Sequence, residues 1–319
     1  MRSFSFALLS TLLVGCSGEG PASPSSDPPE DPTKPPGEPP PSSEDEAGTP
    51  PGNKPNDDAG TTPAEPMGCS VSPPDVGTVT QEQTVAAGKS RTYHLSVPAA
   101  YQAGVPTPLV FVLHGAGDTN PVHMREWFDV EAHVPDALYV YPQALVRRRI
   151  DGTGGDVPRW DLHGDDDTAL FDAVVSELSE RYCVDRTNVL ATGFSSGGNF
   201  ANQLACLRQS EIRAIGAVSG PGPFTDVCGG AVGVWMTHDT GDNVLPIADA
   251  RRARDFWARE NACGDDWVPD KLPMCRRNAA CPPSAPLVYC ETSGIGHEMT
   301  TFAVPAISDF FGAILKTSR

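Results

Sequence analysis

The sequence predicts an α/β domain, with a mostly parallel β-sheet covered by helices on both faces and stabilised by disulfides. Three observations predict it. Short, continuous apolar runs alternate with segments of helical periodicity, and such runs are typical of strands buried on both faces of a parallel sheet. A Gly-x-Ser-x-Gly motif at residues 193–197 lies between one of these runs and a helical segment. Eight cysteines follow position 68, and an even number suggests four disulfides in an exported protein.

The predicted elements begin with a hairpin and continue as alternating strands and helices. The hairpin has strands at 84–87 and 91–97 around a turn at Gly88 and Lys89. Further strands are predicted at 108–113, 137–141, 188–192, 215–219, 232–237 and 287–290. Helices are predicted at 168–182, 200–208, 246–261 and 302–315. Because crossovers between parallel strands are right-handed, the carboxyl ends of the strands should share one edge of the sheet, where a site can form.

The first 15 residues are predicted to be a signal peptide. A basic start at Arg2 precedes an apolar run over residues 4–14, which is too short to span a membrane. Residues 13–16, Leu-Val-Gly-Cys, resemble the bacterial lipobox, and this implies cleavage before Cys16 and acylation of its thiol. The expected location is therefore outside the cytoplasm, with Cys16 lipid-anchored in a membrane at the cell surface or in the outer membrane. The alternative is an ordinary secreted protein that loses Cys16 with its signal.

Residues 16–67 are predicted to form a disordered linker, and residues 68–319 the folded domain. The linker is rich in Pro, Ser, Asp and Glu and has almost no side chains that could form a core. Its proline content and like charges favour an extended, solvated spacer. It carries eleven acidic residues and two lysines, and therefore half of the formal charge of −18. No basic cluster is larger than the three arginines at 147–149, which argues against nucleic-acid binding.

Ser195 is the predicted nucleophile. A strand-turn-helix elbow holds its serine in a strained backbone conformation, and side chains at the flanking glycine positions would collide with the neighbouring strand and helix. The flanking residues here are Gly193 and Gly197. The amide of Ser196 would then face a developing oxyanion beside the positive end of the helix. The motif predicts a serine hydrolase.

An acid and a histidine follow Ser195 in the order expected of such an enzyme, which is serine, acid, histidine. Asp242 is the candidate acid, in a turn between a strand and a helix. Asp239 competes with it, and either aspartate could instead cap the helix or close an Asx-turn. His297 is the candidate base, in a glycine-rich loop after the last strand, and His238 is the other histidine beyond Ser195.

Three further sequence features bear on the predicted site. Residues 114–117, His-Gly-Ala-Gly, supply the second predicted oxyanion amide, that of Ala116, while His114 is expected to be structural. Trp160 is a candidate wall for an aromatic or sugar group and could equally belong to the core. The aspartates at 165–167 begin a helix, where carboxylates suit the positive helix end, with a calcium site as the alternative. The thiolate spacings of zinc ribbons are absent, and no metal or cofactor is predicted.

Several motifs in register resemble secreted feruloyl esterases and their relatives among poly(3-hydroxybutyrate) depolymerases and acetyl xylan esterases. They lie at residues 108–115, 182–185, 191–198, 204–206, 228–230, 241–246, 261–263 and 296–297. The resemblance extends from about Cys69 to the carboxyl terminus and implies an α/β-hydrolase fold with the triad named above. It also implies two disulfides, which pair Cys206 with Cys228 and Cys263 with Cys290.

The sequence departs from this family at two positions. Asp239 stands where the family usually has glycine, and Glu298 follows His297 where the family often continues into Trp-Pro or Pro. Both departures leave the substrate open. Residues 275–281 also look like a local insertion, which a disulfide of its own would close.

Together these features predict an exported serine carboxylic ester hydrolase that acts through an acyl-serine. The resemblance implies removal of feruloyl or acetyl groups from plant polysaccharide without a metal or organic cofactor. One alternative is a polyhydroxybutyrate-type polyester depolymerase, which needs a slot for an aliphatic chain instead of a flat aromatic pocket. Another is a noncatalytic surface binding protein, and the intact triad candidates count against it.

Overall fold

The computed structural model describes residues 67–149, 154–225 and 228–317. The predicted signal peptide, Cys16 with its predicted lipid anchor, and residues 16–66 of the predicted linker lie outside the described residues. Across the described ranges, no helix combines the length and apolar character that crossing a bilayer requires.

The described chain contains twelve strands and six α-helices, after a 3₁₀ turn at Met67–Ser70. The strands are β1 (Val79–Ala86), β2 (Lys89–Ser96), β3 (Thr107–Leu113), β4 (Leu138–Pro142), β5 (Val146–Arg147), β6 (Val157–Pro158), β7 (Val184–Phe194), β8 (Ile212–Val218), β9 (Gly233–Asp239), β10 (Trp267–Pro269), β11 (Cys275–Asn278) and β12 (Leu287–Thr292). The helices are α1 (His123–Phe128), α2 (Val130–His133), α3 (Asp166–Arg181), α4 (Ser196–Leu207), α5 (Ile247–Glu260) and α6 (Ala303–Ile314).

Ten of the described strands form one sheet in the order β1-β2-β4-β3-β7-β8-β9-β12-β11-β10. The six central strands, from β4 to β12, pair in parallel, and antiparallel strands extend the sheet at both ends. Parallel pairing places the carboxyl ends of β7, β9 and β12 at one edge. The loops that carry Ser195, Asp242 and His297 all leave the sheet there.

Two apolar layers cover the sheet. One layer packs α3, α4 and α5 against one face, and the other packs α1, α2 and α6 against the opposite face. Strands β8 and β9 are buried along their whole length, as continuous apolar runs predict. The mostly parallel sheet with helices on both faces is therefore the predicted architecture, and β5, β6, β10, β11, α1 and α2 are elements that the sequence did not predict.

The disulfides correct part of the sequence-based prediction. The bonded pairs are Cys69–Cys183, Cys206–Cys228, Cys263–Cys281 and Cys275–Cys290. The implied bridge between Cys206 and Cys228 is present, but the implied bridge between Cys263 and Cys290 is wrong, as is a local bridge within 275–281.

The reason for this error is the unpredicted strand β11. It runs antiparallel to β12 and sets Cys275 directly opposite Cys290, with 3.9 Å between their Cα atoms. Cys263 follows α5 and bonds to Cys281 instead. The predicted insertion is therefore an extension of the main sheet, which one bridge attaches to the segment after α5 and another to β12.

Candidate active site

Ser195 lies at the turn between β7 and α4, in a backbone conformation that residues other than glycine rarely adopt. Its φ is 53° and its ψ is −120°, and a non-glycine residue in this region is strained. A Cβ added at Gly193 would lie 2.5 Å from the carbonyl carbon of Gly197, and one added at Gly197 would overlap the carbonyl oxygen of Leu113. The elbow therefore needs its two flanking glycines for the steric reason that the sequence predicts.

The structure brings the three predicted triad side chains into one hydrogen-bonded chain. The Nε2 atom of His297 lies 2.8 Å from the Oγ of Ser195, and its Nδ1 lies 2.7 Å from the Oδ2 of Asp242. A carboxylate accepts hydrogen bonds, so Nδ1 carries the proton of the neutral ring and Nε2 is left to accept the serine proton. This arrangement can deprotonate a serine hydroxyl during attack on a carbonyl carbon.

Asp242 is buried and ionised. Only 8% of its surface is exposed, and its Oδ1 accepts hydrogen bonds from the amides of Val244 and Leu245, each at 2.8 Å. Burial by itself raises the pKa of the Asp242 carboxyl, but the bonds from His297 and from these two amides outweigh burial and hold the pKa below its usual value. The carboxylate is thus fixed in the form that can hold a histidine in one tautomer.

Asp239, the competing candidate, has a different position. Its carboxylate accepts hydrogen bonds from Thr292 Oγ1 at 2.8 Å, from the amide of Ile295 at 3.1 Å and from the amide of Gly241 at 2.8 Å. Burial by itself raises the pKa of Asp239, but these bonds lower it below the usual value. Asp239 therefore fastens the loop that carries His297, whereas Asp242 contacts the imidazole itself.

His238 contacts the turn that carries Asp242. It is 2% exposed, its Nε2 lies 2.8 Å from the carbonyl oxygen of Leu245, and the same atom is 3.2 Å from Asp242 Oδ2. These contacts leave His297 as the histidine beside Ser195.

The predicted oxyanion amides lie at the start of α4 and in the loop after β3. Ser196 is the first helical residue of α4, and the first amides of a helix have no partner within that helix. Ala116 is exposed in the loop at 114–117. His114 is fully buried, its Nδ1–H donates to the carbonyl oxygen of Gly115 at 2.7 Å, and its Nε2 accepts from the amide of Ala144 at 3.0 Å.

Burial lowers the pKa of His114, in agreement with a neutral ring that makes one donor and one acceptor bond. His114 therefore has the structural position expected from the sequence. What remains accessible in this loop is the backbone around Ala116.

The chain is 30% identical over 217 residues to feruloyl esterase D of Neurospora crassa, covering 63% of this chain and 69% of that protein. The chain belongs to the feruloyl esterase family. It is also 31% identical over 181 residues to a probable feruloyl esterase C of Aspergillus terreus, covering 54% of this chain and 63% of the relative. This esterase matches no family model.

The fold comparison agrees with this membership. The acetyl xylan esterase from Aspergillus awamori superposes with a TM-score of 0.56 over 73% of this chain and 99% of that chain, at 15% identity. At such low identity the likeness shows the fold alone, and that fold is the predicted α/β-hydrolase fold. Membership of the feruloyl esterase family makes the chain a carboxylic ester hydrolase, and its fold is that of this acetyl xylan esterase.

Trp160 of this esterase is a core residue. It is 1% exposed and stacks on Phe200, with 5.0 Å between ring centroids and 3° between ring planes. Its indole Nε1–H donates to the carbonyl oxygen of His114 at 2.8 Å. Of the two interpretations given for Trp160, the structure contradicts the wall of the substrate pocket and agrees with the core residue, because a ring so enclosed has no face left for a ligand.

The acidic residues at the start of α3 are paired with cations. Asp167 lies 2.5 Å from Arg91 and 3.3 Å from Arg147, and Asp166 lies 2.6 Å from Lys89 and 3.2 Å from Arg147. Asp167 is also 1% exposed. Carboxylates paired in this way serve the fold, in agreement with the structural interpretation and not with the alternative of a calcium site.

Several apolar side chains are exposed on loops that leave the same edge of the sheet as Ser195. Phe224 is 43% exposed, Val244 59% and Ile295 40%, and they lie on the loops that follow β8, β9 and β12. A cavity of about 550 Å³ lies elsewhere, between α6 and the β10–β11 extension, with Trp235 and Phe310 among its walls, and the three triad candidates do not line it.

Proposed function

We propose that this esterase removes feruloyl or acetyl groups from plant polysaccharide through an acyl-enzyme at Ser195. The observation that carries the proposal is the continuous chain from the hydroxyl of Ser195 through His297 to Asp242. Relatives named feruloyl esterases support the substrate class. Because the chain covers only 63% to 69% of those two relatives, the substrate is a proposal and not a consequence of family membership.

In the first half-reaction Ser195 Oγ attacks the ester carbonyl carbon while Nε2 of His297 takes the hydroxyl proton. Asp242 accepts the Nδ1–H bond throughout and stabilises the imidazolium. The carbonyl oxygen becomes an oxyanion, which accepts hydrogen bonds from the amides of Ser196 and Ala116. When the carbon–oxygen bond to the sugar breaks, Nε2 returns the proton to the leaving alkoxide, and the acyl group remains on Ser195.

In the second half-reaction water replaces the sugar alcohol. Nε2 of His297 takes a proton from water as the water oxygen attacks the acyl carbon, and the same two amides hold the new oxyanion. The bond to Ser195 Oγ then breaks, and the proton on Nε2 passes to Oγ. The products are the free carboxylic acid and a regenerated serine.

The exposed apolar side chains at this edge of the sheet favour an aromatic acyl group. Phe224, Val244 and Ile295 project from loops at the edge that carries the triad, and a flat phenolic ring buries more apolar surface against such groups than an acetyl group does. We therefore expect a higher kcat/KM for methyl ferulate than for a methyl ester with a short aliphatic acyl chain.

Replacement of the nucleophile tests the mechanism. Ser195→Ala should lower kcat on methyl ferulate by about 10⁴-fold or more because no acyl-enzyme can form. Ser308→Ala is the matched control, since Ser308 is a buried serine of α6 that donates to its own helix at Val304. Wild-type turnover in Ser195→Ala would refute the mechanism.

A release assay tests the substrate. Feruloylated arabinoxylan, acetylated xylan and a hydroxybutyrate polymer should be compared with the same enzyme preparation. Release of ferulate or acetate supports the proposal, whereas soluble hydroxybutyrate alone would identify a polyester depolymerase. Binding to a polysaccharide without any release would identify a noncatalytic binding protein.

We further propose that the mature protein is exported and attached to a membrane by a lipid on Cys16. The four disulfides support export, since such bonds persist in oxidising compartments. In a bacterial host that processes lipoproteins, the full chain should enter the membrane fraction and Cys16→Ser the soluble fraction. Equal distribution of the two proteins would contradict the anchor.

A further inference from the structure

A short segment of the chain, residues 158–161, contacts both sides of the proposed oxyanion site. The carbonyl oxygen of Pro158 accepts a hydrogen bond from the amide of Gly117 at 2.8 Å. The indole of Trp160 donates to the carbonyl oxygen of His114 at 2.8 Å. The loop that carries Ala116 is therefore fixed at both of its ends by this one segment.

The peptide unit between those two bonds is the one that carries the Ala116 amide. Its carbonyl oxygen, that of Gly115, accepts from Nδ1 of His114 at 2.7 Å. In a planar trans peptide the N–H points opposite to the C=O, so a fixed Gly115 carbonyl also fixes the direction of the Ala116 N–H. Trp160 packs on the His114 ring, with 5.0 Å between centroids. It thereby holds the imidazole whose Nδ1–H fixes the Gly115 carbonyl.

The same tryptophan also contacts the other proposed donor. The backbone amide of Trp160 donates to the Oγ of Ser196 at 3.3 Å, and the Trp160 ring stacks on Phe200, one helical turn further along α4. Trp160 thus connects the loop of Ala116 to the first turn of α4.

The segment itself is held from behind by a buried ion pair. The amide of Asp161 donates to Asp167 Oδ2 at 2.6 Å, and Asp167 pairs with Arg91 at 2.5 Å. Arg91 is 2% exposed and Asp167 is 1% exposed. An anchor so enclosed gives Trp160 a fixed position relative to the sheet.

We propose that Trp160 is a positioning residue that sets the spacing and direction of the Ala116 and Ser196 amides. This inference rests on the proposed acyl-serine mechanism, in which both amides bind the oxyanion. Such donors act only when they are aimed at the place where charge develops, and small displacements cost much of their effect. Trp160 would therefore act on kcat through these two amides. Substrate binding would stay unchanged, because Trp160 is buried and touches no substrate.

Trp160→Phe tests the proposal, with Trp257→Phe as a matched control. Phenylalanine keeps an aromatic ring against Phe200 but has no N–H for the carbonyl of His114. Trp257 is equally buried, and its indole also makes one buried hydrogen bond, to Asn202 Oδ1 at 2.7 Å. Both variants lose one buried bond, but only Trp160→Phe loosens the loop of Ala116.

We expect kcat on p-nitrophenyl acetate to fall about 10-fold in Trp160→Phe, with KM within about twofold of wild type, because complete loss of one oxyanion donor costs about 10²- to 10³-fold. Trp257→Phe should keep kcat within about twofold. The affinity for a trifluoromethyl ketone, which forms an oxyanion on Ser195, should weaken by the same factor as kcat/KM. The pH profile should keep its shape, since the triad is untouched.

Equal kcat values in Trp160→Phe and Trp257→Phe would overturn the proposal, as would an effect confined to KM. If Trp160→Phe does not fold, Ser196→Ala decides the question. Alanine removes the acceptor of the Trp160 amide and should lower kcat about threefold with KM within about twofold of wild type; an unchanged kcat in Ser196→Ala would contradict the proposal. An active Ser195→Ala would instead refute the acyl-serine mechanism on which the inference rests.

Discussion

The two loops beside Ser195 are attached to one sheet by different chemistry. The loop at 292–297, which carries His297, is held by the carboxylate of Asp239 through Thr292 Oγ1 and the Ile295 amide. The loop at 114–117 is held by neutral groups, namely the indole of Trp160 and the carbonyl of Pro158.

The difference predicts that the two loops respond differently to acid. Asp239 accepts the bonds of its loop as an anion, so protonation removes acceptor capacity from that anchor. The direct contacts of the other loop are an indole and a peptide carbonyl, which do not titrate, and the Asp167 carboxylate acts there only through the Asp161 amide. Protonation of Asp239 should therefore act directly on the position of the general base.

The largest effect is expected at the acid that contacts His297. Asp242→Asn should lower kcat by about 10⁴-fold, because an amide can donate to Nδ1 and stabilise the wrong tautomer. Stopped assays with p-nitrophenyl acetate measure this. Near wild-type kcat would show that Asp242 is not the triad acid.

A smaller effect is expected at the aspartate that holds the loop. Asp239→Asn keeps one acceptor oxygen and places an NH₂ group near donors, so it should lower kcat about 10-fold and the free energy of unfolding by about 1–3 kcal/mol. Urea unfolding and kcat are measured on the same preparation. A loss of kcat as large as that of Asp242→Asn would contradict the assignment of Asp239 to the loop and of Asp242 to the imidazole.

Acid should destabilise the folded protein through both aspartates. Their pKa values are lower in the folded protein than the usual value, so the stability they contribute is present above the unfolded value of about 3.9 and is lost as pH falls through the lower folded values. The urea midpoint should decline below about pH 4, and less steeply in Asp239→Asn. Parallel pH curves for the two proteins would contradict this assignment.

The smallest effect on turnover is expected at the sheet extension, away from both loops. Removal of the Cys263–Cys281 bridge by double substitution with alanine should lower the free energy of unfolding by about 3 kcal/mol, since the bridge closes 18 residues. We expect kcat to stay within about twofold of wild type. This variant is the control that separates loss of stability from displacement of either loop.

Much of the site follows from the sequence because chain order and strand ends determine it. Ser195, Asp242 and His297 follow parallel strands, and parallel strands end at one edge. The choice between the two aspartates does not follow from spacing. It depends on register, because β9 continues to Asp239 and pairs that residue with Thr292 of β12, which leaves Asp242 free to meet the imidazole.

The features that the sequence left open or did not predict depend on contacts between distant segments. Trp160 lies in irregular chain, and its burial results from packing on Phe200 and His114. The partner of Cys290 depends on β11, a strand of four residues with the sequence Cys-Arg-Arg-Asn, which has no apolar alternation to reveal it. Only the pairing of β11 with β12 brings Cys275 opposite Cys290.

The backbone conformation of Ser195 makes folding stability and catalytic activity compete. Its positive φ and ψ of −120° suit glycine better than any residue with a side chain, yet glycine has no hydroxyl. Substitution of Ser195 by glycine should therefore relieve backbone strain and stabilise this esterase. The same substitution removes the nucleophile and should abolish turnover.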